Sequence, residues 1–210
     1  MIEEHWRETG RAQRYSRWKK MSARLFAPSF PREIVEAVGP LDEGATVVDL
    51  GAGPGLLCLD LHKLWPQARF ICVDPSGEML KIATENAALA GIPDLEARQG
   101  NAERIPIEPD CVTVVVGESS RHEWADPRIG FSEVHRILVP GGRLVLKDYS
   151  RSWPSGWMRK ILGRFHYLNM FKFTLGEVVG WLEEAGFTDV RGKEMGPQFL
   201  VQAAKRREGG

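Results

Sequence analysis

The sequence has few cysteines, no excess of either charge and no long apolar run. Its three cysteines, Cys58, Cys72 and Cys111, lack the CxxC spacing that is typical of metal or redox sites. We therefore predict that they are small core residues of a protein kept in a reducing compartment, the cytoplasm. We also predict no metal site.

The charge balance bears on possible partners. Lysine plus arginine and aspartate plus glutamate each number 28, so the formal net charge is zero. Proteins that neutralise many phosphates usually carry a basic excess, so we expect no nucleic-acid partner. A membrane-spanning helix needs about 18 consecutive apolar residues, and since no such run exists we expect no transmembrane segment. The charged N-terminus predicts no secretory signal.

The chain is long enough for one domain with a sizeable core, since 43% of its 210 residues are apolar. Residues 1–43, rich in charge and aromatic side chains, predict an N-terminal helical cap. Residues 44–204 are predicted to form the main domain, with an inserted lid at about 151–173. Residues 205–210 are predicted to be a disordered tail.

Apolar runs with strand character alternate with segments of helical periodicity. This alternation predicts an α/β fold, a doubly wound, mostly parallel seven-stranded sheet with a C-terminal antiparallel hairpin. The predicted strands are 46–50, 69–73, 95–99, 112–116, 143–148, 189–193 and 199–204, and the predicted helices are 56–65, 76–90, 127–138, 157–170 and 174–185.

A glycine-rich loop follows the first predicted strand. Gly51, Gly53 and Gly55 have no Cβ, so the backbone can approach a ligand closely. A dinucleotide site prefers GxGxxG, whereas this loop has GxGxG preceded by Asp49. A carboxylate there would repel a pyrophosphate but suits a ligand with an ammonium group. The loop alone leaves open an NAD-binding oxidoreductase and a purely structural turn.

Two further segments favour a nucleoside-containing ligand. Asp74 ends the second predicted strand, where an acidic group can accept hydrogen bonds from both ribose hydroxyls. The alternative is a helix N-cap, although Ser76 already offers one. After the third strand, the side chain of Asn101 and the backbone at Ala102 could recognise an adenine. Ligands of parallel sheets lie beyond the carboxyl ends of the strands, so these residues should lie close together.

Four motifs occur in a characteristic order: VDLGAGPG at 48–55, VDPSGEML at 73–80, GNAERIP at 100–106 and EVHRILVPGGRL at 133–144. On these motifs the chain resembles the class I S-adenosylmethionine-dependent methyltransferases, in particular the small-molecule, quinone-biosynthesis-like branch (methyltransferase type 11). The resemblance covers about residues 44–148. It implies a Rossmann-like methyltransferase fold, S-adenosyl-L-methionine as the cofactor and S-adenosyl-L-homocysteine as the product.

The resemblance also implies a role for individual residues at the cofactor. The glycine loop and Glu118 would hold the methionine end, Asp74 would take the ribose, and the residues around Asn101 would contact the adenine. Many relatives have Asp in place of Asn101, but an amide oxygen can still accept a hydrogen bond from the adenine amino group. The implied cofactor-binding residues are Tyr15, Asp49, Gly51, Ala52, Gly53, Gly55, Asp74, Pro75, Met79, Asn101, Ala102 and Glu118.

A sulfonium cofactor already carries its leaving group, so the protein mainly has to align the nucleophile. A general base contributes only when the nucleophile is protonated. His122 is the candidate base because it follows the fourth strand and lies between Glu118 and Glu123 in sequence. The alternative is a surface histidine without a role. The expected acceptor is a small organic molecule that is methylated at O, N or C, and both aromatic and anionic acceptors are compatible with the sequence.

Residues 152–167 are aromatic and basic. This composition is compatible with a lid over a flat, apolar or anionic substrate, with an interfacial helix that contacts anionic lipid, or with an ordinary packed helix. Two other functions stay open at this point, a protein or RNA methyltransferase and a non-catalytic regulatory protein that binds S-adenosylmethionine.

Overall fold

The computed structural model describes residues 30–92, 94–152 and 171–207. Most of the predicted N-terminal cap, including Tyr15, therefore lies outside the described residues. So do the greater part of the predicted lid and the end of the predicted tail.

The described chain contains seven strands: β1 (Thr46–Leu50), β2 (Arg69–Asp74), β3 (Glu96–Gln99), β4 (Val112–Glu118), β5 (Leu138–Tyr149), β6 (Phe187–Met195) and β7 (Gln198–Lys205). They form one sheet in the order β3-β2-β1-β4-β5-β7-β6. The first five strands are mutually parallel, and β7 is antiparallel to both β5 and β6. The predicted α/β sheet with its C-terminal antiparallel hairpin is confirmed.

The described helices are α1 (Phe30–Val38), α2 (Leu56–His62), α3 (Gly77–Leu89), α4 (Pro127–Ile137) and α5 (Leu175–Glu184), and a 3₁₀ turn occupies Arg121–Glu123. Two helix starts are encoded locally. The Ser76 hydroxyl accepts a hydrogen bond from the Met79 amide at 3.3 Å, which confirms the predicted cap of α3. Thr174 and Glu177 form a reciprocal capping box at the start of α5.

Apolar layers cover both faces of the sheet, as a largely parallel sheet requires. Helices α1, α2 and α3 pack on one face, where Phe30, Ile34 and Leu61 are buried against β1 and β4. Helices α4 and α5 pack on the other face, where Phe131 and Leu182 are fully buried. The core therefore holds β1 and β4 rigidly at the centre of the sheet.

The sequence Pro140-Gly141-Gly142 is typical of a turn and predicts one directly before the fifth strand, and this prediction is wrong. These residues lie inside β5, which begins at Leu138 directly after α4 ends. Val112 pairs with Leu138 and Val114 pairs with Arg143, so the extra residues form a bulge opposite β4. Gly141 has a φ of +84°, which glycine adopts without strain. A bulge in a continuous strand therefore replaces the turn that the sequence pattern predicted.

The cysteine prediction is correct for two residues and wrong for the third. Cys58 and Cys72 are buried, but Cys111 is exposed. Its thiol donates to the Glu108 carbonyl oxygen at 3.0 Å, in the loop that precedes β4. The apolar run that follows Cys111 begins one residue later, and only that run enters the sheet.

Two features are absent from the described residues. Within 30–92, 94–152 and 171–207, no helix is long and apolar enough to cross a membrane. The same part of the chain contains no cluster of three or more histidine, cysteine, aspartate or glutamate side chains that could hold a metal ion.

Candidate functional site

The glycine loop leads from β1 into α2 and hydrogen-bonds to the end of β2. The backbone amides of Gly51 and Ala52 both donate to the Val73 carbonyl oxygen, at 2.8 and 3.1 Å. The loop therefore bends across the carboxyl edge of the sheet instead of continuing away from it. This places it beside Asp74, the last residue of β2.

Asp74 joins the loop to the start of α3. Its Oδ2 accepts a hydrogen bond from the Gly53 amide, and its Oδ1 accepts one from the Ser76 amide, both at 2.8 Å. The residue is 8% exposed. Asp74 thus holds the glycine loop against the start of α3. The cap of α3 belongs to Ser76, and the alternative that Asp74 is simply an N-cap is not needed.

The three loop glycines have different surroundings. A Cβ on Gly51 would lie 2.3 Å from Ser120 Cβ, and one on Gly55 would lie 2.9 Å from Ala83 Cβ. Gly53 has a φ of +53°, and apart from its two chain neighbours no described residue has an atom within 4 Å of a Cβ placed there. Gly51 and Gly55 are thus required by the packing of the protein itself. Gly53 leaves a cradle open beside Asp74.

Asp49 lies inside β1 and is only 2% exposed. Its Oδ2 lies 3.9 Å from the Cys58 sulfur, which is 3.4 Å from the Cys72 sulfur. The hydrogen bond with Cys72, together with burial, raises the pKa of the Cys58 thiol well above its ordinary value. The Cys58 thiol is therefore a protonated packing group next to Asp49, not a nucleophile.

The residues expected around an adenine are of two kinds. The side chains of Met79 and Ala102 are already buried in the protein, at 3% and 4% exposure. Pro75 is half-buried, and its carbonyl oxygen accepts from Gln99 Nε2 at 3.0 Å. Asn101 is exposed and forms a β-bridge with Arg104. Of this group, Asn101 has the side chain that is most accessible to a ligand.

The loop after β4 contacts the glycine loop. Ser120 Oγ donates to the Leu50 carbonyl oxygen at 2.8 Å. Glu118, expected just after the strand, is instead the last residue of β4 and pairs with Lys147 of β5. His122 follows in the 3₁₀ turn, but its side chain lies outside the described part of the structure. The structure therefore brings the predicted residues of β1, β2 and β4 to one edge.

Two charged pairs at this edge were missed by the sequence reasoning. Lys147 Nζ lies 3.6 Å from Glu33 Oε2 of α1, and Arg121 Nε lies 3.9 Å from Asp148 Oδ2. The sequence contained one indication of these pairs, which is the lysine and the aspartate at the end of the apolar strand β5. It contained no indication of their partners, Glu33 and Arg121, because these residues belong to elements that are distant along the chain.

Arg121 has an unusual environment. It is 1% exposed, with its guanidinium carbon 4.6 Å and 5.2 Å from the ring centroids of Phe173 and Phe199. Burial lowers the pKa of Arg121 to about 10, although the charges of Asp148 and Glu177 oppose the shift. Among the residues that the structure describes, none accepts a hydrogen bond from its side-chain nitrogens.

Comparison with models of protein families shows which family the chain belongs to. The family model described as a methyltransferase domain matches residues 41–185, from the loop before β1 to the end of α5. The chain belongs to this methyltransferase family. The predicted class I methyltransferase, with S-adenosylmethionine as its cofactor, is confirmed.

Curated relatives of this methyltransferase include a protein of Mycobacterium tuberculosis described as an uncharacterized methyltransferase. It is 36% identical over 140 residues, which cover 65% of this chain and 54% of the relative. A chloroplastic 2-methyl-6-phytyl-1,4-hydroquinone methyltransferase of Oryza sativa is 31% identical over 156 residues, 74% of this chain and 45% of the relative. The chain thus spans about half the length of these relatives.

Solved structures with the same fold agree. A methyltransferase of Thermotoga maritima, described as a possible histamine N-methyltransferase, superposes with a TM-score of 0.70 at 21% identity, covering 92% of this chain and 95% of that one. Geranyl diphosphate methyltransferase in complex with geranyl diphosphate and sinefungin gives a TM-score of 0.70 at 18% identity, covering 83% and 77%. These likenesses confirm the methyltransferase fold.

Proposed function

We propose that the protein transfers the methyl group of S-adenosylmethionine to a small organic acceptor at O, N or C. The single observation that carries this proposal is the open cradle at Gly53 next to the carboxylate of Asp74. Membership of the methyltransferase family supports methyl transfer as the reaction. A cytoplasmic location stays a prediction.

The residues at the sheet edge fit the cofactor. Asp74 would accept hydrogen bonds from the ribose hydroxyls, and Asn101 would accept from the adenine amino group. Asp49 and Glu118 are acidic residues of neighbouring strands on one face and would favour a cationic amino-acid end. When bound, S-adenosylmethionine supplies a methyl group on a sulfonium, which is its own leaving group.

The protein then has to align the acceptor and exclude water from it. Ser120 fixes the loop after β4 against the glycine loop, so an acceptor held at the end of β4 or β5 would face the cofactor cradle. The hydroquinone methyltransferase named above and geranyl diphosphate methyltransferase are both named for small molecules. This supports a small-molecule acceptor over a protein or RNA.

Replacing Asp74 with alanine should weaken S-adenosylmethionine binding by about tenfold or more, since hydrogen bonds to a charged group contribute roughly 1.5–3 kcal/mol. Isothermal titration calorimetry measures the change. Asp74→Asn, which can still accept from the Gly53 amide, should lose less. The wild-type protein should bind S-adenosylmethionine in preference to NAD, and a preference for NAD would refute the proposed function.

Replacing His122 with alanine tests the predicted general base. We expect turnover to fall at least about tenfold, because a positioned base contributes roughly 10²–10⁴-fold when the nucleophile is protonated. S-adenosylmethionine affinity, measured by calorimetry, should not change. Equal turnover of the variant and the wild type would remove His122 from the mechanism while leaving the cofactor site unaffected.

A further inference from the structure

Lys147 lies at the carboxyl end of β5, beside the strand that carries Glu118. In the parallel register Asp49 pairs with Val116, and Glu118 lies two residues further along the same strand. Alternate residues of a strand share a face, so Asp49, Glu118 and Lys147 all belong to the face that α1 and α2 cover. On this face β1 and β4 thus each carry an acidic residue and the next strand, β5, carries a basic one. Neighbouring strands lie about 4.8 Å apart.

The Lys147 ammonium lies near a carboxylate but forms no hydrogen bond with a described residue. Its side chain is 10% exposed, and Nζ lies 3.6 Å from Glu33 Oε2 and 5.4 Å from the centroid of the Phe30 ring. Within the described ranges Nζ donates no hydrogen bond, although an ammonium has three donors. In the same ranges, Glu33 Oε2 is itself buried without a hydrogen-bond partner.

The arrangement of Lys147 and Glu33 is not one that would stabilise the folded protein. Burial of an ammonium costs free energy unless it is both paired and hydrogen-bonded, and a separation of 3.6 Å is too long for a good hydrogen bond. A buried polar group that is incompletely satisfied in a native structure calls for an explanation, and a functional role is one of these. An ammonium can donate three hydrogen bonds, and the ion pair with Glu33 uses at most one of these donors.

The charges along the sheet edge suggest what that ligand is. Acidic residues on β1 and β4 suit a cationic cofactor, whereas the ammonium on β5 suits an anion bound next to it.

We infer that Lys147, oriented by Glu33, is the subsite that binds an anionic oxygen of the methyl acceptor, a carboxylate or a phenolate. This inference rests on the proposed function, because it places the acceptor beside the S-adenosylmethionine site. It narrows the acceptor from any small organic molecule to one with an ionised oxygen.

The test uses two isosteric probes, benzoate and its neutral analogue benzamide, with full-length protein saturated with S-adenosylhomocysteine. Calorimetry should show that the wild type binds benzoate more tightly than benzamide. Lys147→Met should weaken benzoate binding by about tenfold or more and leave benzamide binding unchanged, since only the charged contact is lost. Lys147→Arg should retain most of the preference.

A second readout reports charge directly. 4-Nitrophenol bound to the wild type should ionise at lower pH than free in solution, because the nearby ammonium favours the phenolate. The absorbance titration should lose this shift in Lys147→Met and keep it in Lys147→Arg. An effect on packing alone would not produce that pattern.

Two controls separate the possible failures. Lys81→Met makes the same change at an exposed position of α3 and should alter neither probe. Lys147→Met/Glu33→Gln removes both charges, so that an unpaired Glu33 cannot cause misfolding, and it should lose the benzoate preference like the single variant. If S-adenosylhomocysteine does not bind the wild type, the proposed function fails. If it binds but benzoate is not preferred, or if the preference survives Lys147→Met, the Lys147 subsite is wrong.

Discussion

The Gly53→Ala variant should bind S-adenosylmethionine about a hundredfold more weakly than the wild type, a loss of about 2–3 kcal/mol. Apart from the chain neighbours of Gly53, no described residue has an atom within 4 Å of the position that the new Cβ would occupy. The methyl group therefore meets little resistance from the protein, but it fills the cradle beside Asp74 and holds the ligand away from its hydrogen-bonding partners. Calorimetry with S-adenosylmethionine measures the loss.

Gly44→Ala is the matched control. Gly44 has a φ of +76° and lies in the loop before β1. As at Gly53, apart from the chain neighbours no described residue has an atom within 4 Å of the new Cβ. Both variants should be destabilised similarly, by about 1–2 kcal/mol, because an alanine in the left-handed region is strained. Only Gly53→Ala should lose affinity, and equal affinities in the two variants would show that the cofactor does not approach Gly53.

The Arg121→Met variant should lose about 3–5 kcal/mol of unfolding free energy, because it removes one partner of the buried pair of Arg121 and Asp148. Asp148 is 1% exposed, and water cannot replace the lost charge. Methionine also forfeits the stacking of the guanidinium between Phe173 and Phe199. Urea denaturation of the wild type and the variant gives the difference in free energy.

The double variant Arg121→Met/Asp148→Asn should recover much of that loss. An asparagine is neutral and can still accept the hydrogen bond that Asp148 Oδ1 accepts from the Tyr149 amide at 2.7 Å. Arg128→Met is the control, since Arg128 and Glu184 form a 3.1 Å pair at 62% and 59% exposure and exposed pairs contribute at most about 1 kcal/mol. Stability of Arg121→Met equal to that of the wild type would show that the buried pair contributes nothing.

The cofactor side of the site was predictable because its parts are local. Asp49 and the glycine loop belong to one strand-loop-helix unit, and Asp74 ends the next strand. Parallel strands bring their carboxyl ends together whatever the side chains are, so order along the chain is enough to predict proximity. The Ser76 cap was predictable for the same reason, since capping involves residues three apart.

The errors arose where pairing between distant segments overrides a local signal. Proline and glycine at 140–142 are typical of a turn, yet hydrogen bonds to β4 draw them into a bulge of β5. Cys111 stands beside an apolar run but outside the sheet. A periodic pattern shows which face of an element is apolar, but not where its pairing with another element begins.

The sequence by itself determined the family, the fold class and the residues from which the cofactor site is proposed, because these depend on motifs whose members are near neighbours along the chain. Only the tertiary structure decided that Gly53 is the loop glycine with open space at its Cβ position, that Glu33 lies against Lys147 and that Arg121 is buried against Asp148. Those contacts join elements far apart in sequence, and their distances depend on how the helices and strands pack.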